Sequence, residues 1–498
     1  MKISEIIPAL QHSDGKLITI SDKTRVELYF KHIYPYILKA AKWLSAQGYD
    51  DTCTFGIIAK NSLDWVIADL ACICCGIKVL AMESDREIGH FLDKDIKFSA
   101  ILFDQVYADG LSKIEQQGIR CILLSEFVRS GGIETSQWEA PHHDYAAKEV
   151  FSFRVTSGSM GSPKVIGQTV ESVENSIQGI QDLFKHRKQD KILVFLPLNL
   201  VQQRYWLYSA IMYEFTVIIM PRNYVFAAIK EEAPTVIMGV PFIYECIQAE
   251  FLRVAAADLT LQQFLGGRID YLWTGSAPIS NAVLDFYSNL GITIYQGYGM
   301  NETCIIAKNF PGNNKIGSVG KLFPNIEIKF DSNSQILVKN KYPVCTYYTV
   351  ASEEDKNIFR NDGYIETGDI GHMDEEGYLY IDGRIKEMIA LSSSKKVFPA
   401  KIEEKLRSYT EIKHCVVYGD QRPYLTALVI PTSQDVKESA IKAIIERYNN
   451  CSSEEEQIYR FFTVYADYDD LLSGQEKIRR KTAHEKYSAQ FQTLYSTK

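Results

Sequence analysis

The sequence predicts an α/β chain of mainly parallel sheets covered by helices, and three observations carry that prediction. Short apolar runs alternate with helical patterns along the N-terminal region, the signature of βαβ units. Hydrophobic residues make up 46% and charged residues 23%, the balance of an ordinary globular core. The 498 residues exceed one domain and suit about three core units of common size.

Taken in order, residues 25–48 carry a helical pattern. Val26, Tyr29, Ile33, Tyr36, Ile37, Ala40 and Leu44 recur every three or four positions until Gly48 stops them. A buried strand follows over 54–58, a helix over 61–75 and a strand over 78–81, with further strands at 101–103 and 119–124. Cys72, Cys74 and Cys75 sit in the apolar run ADLACICCGIKVLA without a nearby His, so they read as core thiols rather than zinc ligands. The ten scattered cysteines do not form a disulfide framework. Polar residues 141–145 read as a linker. Beyond them a helix is expected over 170–184, strands over 192–196 and 235–240, and a strand, glycine turn and helix beginning at Tyr271.

A net charge of −8 argues against nucleic acid or an anionic membrane as the main partner. The opening MKISEIIPALQHSDGK lacks the apolar core of a secretory signal, and no apolar run approaches the roughly 18 residues of a membrane span. The expected compartment is the cytoplasm.

The stretch VTSGSMGSPK, residues 155–164, has the make-up of a phosphate loop. Gly158 and Gly161 bring backbone N–H groups close to an anion, Thr156, Ser157 and Ser159 add hydroxyl donors, and Lys164 adds a point charge. In isolation a Ser/Gly-rich surface turn reads the same, and the spacing is not that of a Walker loop.

An ordered series of later stretches sets it apart. TSGSMGSPK resembles the TSGSTGxPK signature of adenylate-forming enzymes, the superfamily of acyl-CoA synthetases, nonribosomal peptide adenylation domains and luciferases, with Met160 where the family has Thr. FLPLNLVQQR (195–204) is similar to LPLxHxxxR of long-chain acyl-CoA synthetases, with Leu200 replacing the His. YLWTGSAPIS (271–280) resembles the GGAPL segment and contributes Gly275, Ser276, Ala277 and Pro278. IYQGYGMNET (294–303) matches YGxTE at Tyr298, Gly299 and Glu302, with Asn301 in place of Thr. GSVGKLFPNIEIKF (317–330) is similar to the opening of the family's β-subdomain. Within 364–384, TGD places Asp369 at the end of a strand and DGR supplies Arg384. The run 389–406 resembles LSxGKxVxPxxIE, with Ser394 for its Gly. LLSGQEKIRRKTAHEKY (471–487) aligns without gaps on LLTPTxKxKRxxxxEKY and puts Lys477 on the catalytic Lys.

The resemblance implies an N-terminal domain over 1–384, made of the mainly parallel sheets plus a β-subdomain. It also implies a small mobile α+β C-terminal domain over 385–498 that pivots at Lys386. It implies ATP with Mg²⁺, a small-molecule carboxylic acid as substrate, and the thiol of CoA or of the phosphopantetheine on an acyl carrier protein as acceptor. In that scheme residues 156–164 hold the β- and γ-phosphates, Asn301 lies near them, and Glu302 holds Mg²⁺. Lys477 bridges the acid and the α-phosphate, Asp369 and Arg384 hold the ribose, and Tyr298 packs on the base. The acid would lie among residues 201–213, 240–244 and 273–299, which are rich in Tyr, Trp, Val and Ile with few charges, and no Asp stands at the place where amino-acid-activating domains hold the α-amino group. That favours a fatty or aryl acid. Two other readings stay open: a stand-alone amino-acid-activating enzyme, and an adenylate-binding module without turnover. The departures at Met160, Leu200, Asn301 and Ser394 motivate the second of these.

Overall fold

The apolar runs pair into sheets as their alternation with helices requires. The structure is a computed structural model, and it describes residues 2–21, 24–83, 91, 96–116, 118–129, 141–156, 164–254, 258–351, 358–472 and 478–496. The chain divides into two units, one of Met1–Ile279, Leu284–Ile328 and Val338–Glu366, the other of Ser280–Val283, Lys329–Leu337 and Thr367–Lys498.

The first unit holds two sheets. A six-stranded sheet has the order Arg120–Leu123, Ala100–Phe103, Thr54–Ile58, Lys78–Ala81, Val150–Thr156, Lys164–Thr169, parallel except for its last pair. A nine-stranded sheet has the order Lys321–Leu322, Cys304–Lys308, Ile294–Met300, Tyr271–Thr274, Val236–Gly239, Lys191–Val194, Thr216–Ile219, Lys16–Ser21, Thr24–Tyr29. Its six middle strands are parallel, and antiparallel pairs close both edges. Ile192, Leu193, Val194, Val217, Ile218 and Ile219 are all buried, which explains their unbroken apolar runs: strands covered on both faces have no solvent side to alternate with.

Helix Val170–Phe184 matches its expected range. Val170, Val173, Ile177, Ile180 and Phe184 bury one face, and Lys185, at φ 52°, ends the helix in the left-handed region. Helix Leu63–Cys74 starts where the Ser62 side chain accepts the Trp65 N–H at 3.1 Å. It is buried on every side from Trp65 to Cys74, so the cysteines are core thiols as expected, and burial pushes Cys75 up to about 12.

The N-terminal helical pattern needs correction. Thr24–Tyr29 is a strand paired antiparallel with Lys16–Ser21, and the helix starts only at Phe30. Arg25 and Glu27 alternate with Val26 and Leu28 there, and the two charges pair with each other at 2.7 Å along the sheet edge. Period two therefore wins over the period of 3.6 until Phe30.

Aromatic rings fill the core beside helix Val170–Phe184. His186 stacks flat on Phe184, and its Nε2 shares a 2.6 Å hydrogen bond with the Tyr271 hydroxyl. Burial lowers its pKa from 6.5 to about 4, so the fold holds it neutral while the unfolded chain protonates. Stability contributed by the neutral ring is intact above pH 6.5 and is lost as pH falls toward 4, by up to ~3 kcal/mol. His414, in the other unit, is lowered to about 4 by its own burial. Denaturant unfolding of the first unit at stepped pH is expected to show this decline, and His186→Phe to flatten it even though the Tyr271 hydroxyl loses its partner. Equal slopes in the two proteins would refute the assignment.

In the second unit, strands Ile412–Tyr418 and Leu425–Pro431 pair antiparallel and Ile458–Thr463 joins parallel. Helices Pro399–Arg407 and Glu438–Asn449 pack Ile402, Leu406, Ile441 and Ile445 on one face of this sheet, while Tyr487 and Phe491 pack on the other. Glu403, buried, accepts from Arg480 Nη2 at 2.7 Å and from the Val417 N–H at 2.7 Å. Arg480 of the C-terminal basic run is therefore a packing residue. Among the described residues no helix is long and apolar enough to cross a membrane.

Candidate active site

The phosphate-loop motif connects two antiparallel strands, Val150–Thr156 and Lys164–Thr169, with Thr156 and Lys164 directly opposite each other. Ser157, Gly158, Ser159, Met160 and Gly161 lie outside the described residues. Both anchors are buried. The Lys164 ammonium stands 4.8 Å above the ring of Tyr348, and the Tyr348 hydroxyl donates to Glu302 Oε1 at 2.6 Å. Lys164, Tyr348 and Glu302 are 9%, 4% and 7% exposed. Two residues expected from separate motifs thus meet on one tyrosine that sequence reasoning missed. Nothing local marks it, since its neighbour Tyr347 is 67% exposed.

A buried arginine, also missed, fixes the turn before Glu302. Arg154 Nε donates to Gln168 Oε1 at 3.0 Å, Nη2 to the Tyr205 hydroxyl at 2.8 Å, and Nη1 to the Asn301 carbonyl at 3.4 Å. The usable signal was a lone charge inside the apolar strand Val150–Thr156, which must find buried acceptors. Asn301 itself is exposed. Gly299 is required sterically, because a Cβ there would run into the Cys304 carbonyl at the bulge between Ile294–Met300 and Cys304–Lys308. Tyr298, before it, is half-buried.

Gly275, Ser276, Ala277 and Pro278 link strand Tyr271–Thr274 to helix Asn281–Asn289. The left-handed position falls on Ser276, at φ 65°, while a Cβ on Gly275 would make only an ordinary 3.5 Å contact. Lys308 braces the base of this loop. Its Nζ donates to the Tyr295 carbonyl at 2.7 Å and the Thr274 carbonyl at 3.3 Å, and lies 3.5 Å over the Trp273 ring. Burial drives its pKa well down. The expected acid-binding segments are packed with rings: Trp206 and Trp273 meet edge to face at 5.3 Å. Leu200, at the N-cap of helix Val201–Tyr213, is exposed.

In the second unit the ribose candidates also come together. Asp369 and Arg384 are opposite partners in an antiparallel pair, and Arg384 Nε donates to Asp369 Oδ1 at 2.9 Å. Asp369 is buried and the arginine head is open to solvent. The placement of Asp369 at a strand end is corrected: it lies inside strand Ile365–Met373, one residue before a register shift. Lys386 is exposed in the single turn Ile385–Glu387. Ser394 adopts φ 64°, the conformation for which glycine is the usual residue. Lys477 lies outside the described residues.

The donor set fits Mg²⁺ as the resemblance implies it. Among the described residues no three His, Cys, Asp or Glu side chains cluster as a metal cage. Glu302 offers one hard oxygen donor beside the phosphate-loop anchors, and Mg²⁺ is characteristically held by one or two carboxylates together with substrate phosphates.

Comparison with known proteins agrees. Residues 10–340 match the family described as AMP-binding enzyme, and residues 386–498 match the AMP-binding enzyme C-terminal domain. A long-chain-fatty-acid–CoA ligase of Mycobacterium bovis is 29% identical over 265 residues, 47% of this chain and 44% of that protein, so the match spans less than half of its length. The 2-succinylbenzoate–CoA ligase of Bacillus pumilus is 25% identical over 411 residues, covering 79% of this chain and 81% of that protein. The fold is that of o-succinylbenzoate coenzyme A synthetase from Bacillus subtilis, solved with ATP and magnesium ion, with a TM-score of 0.77 and 22% identity over 96% of this chain and 98% of that one. With the first family match spanning more than half of its residues, the chain belongs to the AMP-binding enzyme family.

Proposed function

We propose that the chain is an AMP-forming acid–thiol ligase. The carboxylate of a fatty or aryl acid attacks the α-phosphorus of ATP, pyrophosphate leaves, and the acyl group passes from acyl-AMP to the thiol of CoA or of a carrier protein's phosphopantetheine, releasing AMP. The observation that carries this reading is the meeting of Lys164 and Glu302 on Tyr348. It gathers a cation and a carboxylate at the foot of a phosphate-type loop.

Transfers at phosphorus ask a protein mainly for positioning and charge stabilisation. In this reading Thr156, Lys164 and the loop between them hold the β- and γ-phosphates, and Glu302 holds Mg²⁺, which supplies neutralisation of phosphate charge. Tyr298 and residues 275–278 face the base. Asp369 accepts from the ribose hydroxyls, with Arg384 tethered beside it, and Lys477 bridges the acid and the α-phosphate. The moving body is 385–498, pivoting at Lys386, so that Lys477 withdraws before the thiol attacks. The relatives' names, a long-chain-fatty-acid ligase and a 2-succinylbenzoate ligase, support an acid without an α-amino group.

ATP–pyrophosphate exchange across fatty, aryl and amino acids tests this on the full chain. Exchange with one fatty or aryl class is the expected result. Exchange with amino acids alone would replace the reading by an amino-acid-activating one. No exchange with any acid, beside measurable ATP binding, would leave an adenylate-binding module.

A further inference from the structure

We propose that Tyr348 is a positioning residue that sets the geometry between the metal ligand and the phosphate-binding cation. The inference rests on the reading of Glu302 and Lys164 just given. Tyr348 is held from several sides. Its backbone neighbours are laced to the strand that carries Lys164, through Thr349 N–H to the Val165 carbonyl at 2.8 Å and Val165 N–H to the Val350 carbonyl at 2.9 Å. Phe359 packs edge to face on its ring at 5.1 Å. A ring confined in this way leaves its hydroxyl little choice of direction, and that direction is Glu302 Oε1.

An ionised carboxylate offers about four lone-pair sites. One O–H from Tyr348 occupies one of them on Oε1 and fixes the plane of the group, leaving Oε2 and the rest of Oε1 for a metal. Groups that orient a metal's ligand by hydrogen bonding in this manner tune its affinity. The other end of the same side chain acts on the phosphate side: the face of the ring carries the Lys164 ammonium at 4.8 Å, an attraction between cation and ring quadrupole. All three side chains are more than nine-tenths buried, so water screens neither contact strongly. Tyr348 thereby couples two sites that ATP with Mg²⁺ must engage together.

Calorimetric titration of the full chain with ATP, at a series of Mg²⁺ concentrations and again in EDTA, reads this directly. Tyr348→Phe keeps the ring and loses the hydroxyl. It is expected to raise the Mg²⁺ concentration for half-maximal tightening about tenfold, while ATP affinity in EDTA stays at the wild-type value. Tyr348→Leu removes both contacts and is expected to weaken ATP binding in EDTA as well. A wild-type Mg²⁺ dependence in Tyr348→Phe overturns the positioning role. Glu302→Gln separates the two levels of argument. If it leaves the Mg²⁺ dependence unchanged while ATP still binds, the reading of Glu302 as the metal's ligand fails and the inference falls with it. If it raises the Mg²⁺ requirement beside a wild-type Tyr348→Phe, only the role of Tyr348 falls.

Discussion

Arg204→Ala is expected to cost about 3–5 kcal/mol of stability, a large share of what an ordinary domain possesses. Arg204 and Asp69 are each 1% exposed. Arg204 Nη1 donates to Asp69 Oδ1 at 3.0 Å and Nη2 to the Ser152 hydroxyl at 2.9 Å, while the Tyr208 hydroxyl donates to Asp69 Oδ2 at 2.6 Å. The guanidinium also lies over the Trp65 ring. One charged pair thus ties helix Leu63–Cys74, helix Val201–Tyr213 and strand Val150–Thr156 together. Removing the arginine strands a buried carboxylate, and that desolvated charge, rather than the lost attraction, sets the size of the effect. An apolar pair, Asp69→Leu with Arg204→Met, is therefore expected to be less destabilised than either single variant. Urea unfolding of the five proteins, wild type, Arg204→Ala, the two singles and the pair, checks both statements. A single variant within about 1 kcal/mol of wild type would remove the lock.

The same arginine shows how far the sequence could be read. It ends the stretch similar to LPLxHxxxR, yet its partners come from helix Leu63–Cys74 and strand Val150–Thr156, both distant in sequence, and make it structural. What could be read locally is local in the fold. Helix Val170–Phe184 and strands Thr54–Ile58 and Lys78–Ala81 follow directly from period and turn residues, and Thr156, Lys164 and Glu302 from motifs held within a few residues. Strand Thr24–Tyr29 was hidden because its alternation runs straight into the periodic face of a helix. TGD looks like a turn and so suggests a strand end at Asp369, whereas pairing with Leu379–Arg384 keeps it extended. Arg154, Lys308 and Tyr348 acquire their roles only where strands distant in sequence converge. Tyr347 and Tyr348 are the same residue type side by side, and only the tertiary packing makes one a solvent-facing ring and the other the contact between Lys164 and Glu302.

Glu302→Gln is expected to lower ATP–pyrophosphate exchange on the order of 10²-fold without unfolding the chain. The substitution keeps the volume of the side chain and an oxygen to accept from Tyr348, so the packing around Phe359 and the strand carrying Lys164 has no reason to rearrange. It removes the single negative charge, and with it the hard ligand through which a divalent cation would sit beside the β- and γ-phosphates. Because the lost charge acts on bound phosphate and again where phosphate charge redistributes, the loss should appear in the rate at saturating ATP as well as in the ATP concentration needed, the pattern of a group that acts both in the bound complex and in the transition state. Added Mg²⁺ should recover part of the loss, since weaker affinity is answered by mass action. Glu302→Asp gives the complementary measurement. It keeps the charge but shortens the reach by one methylene and draws the carboxylate away from the Tyr348 hydroxyl, so its activity should fall between wild type and Glu302→Gln. If Glu302→Gln exchanged within about threefold of wild type at every Mg²⁺ concentration, the carboxylate would be a buried partner of Tyr348 and nothing more, and the metal would have to be held by the phosphates and by residues other than Glu302.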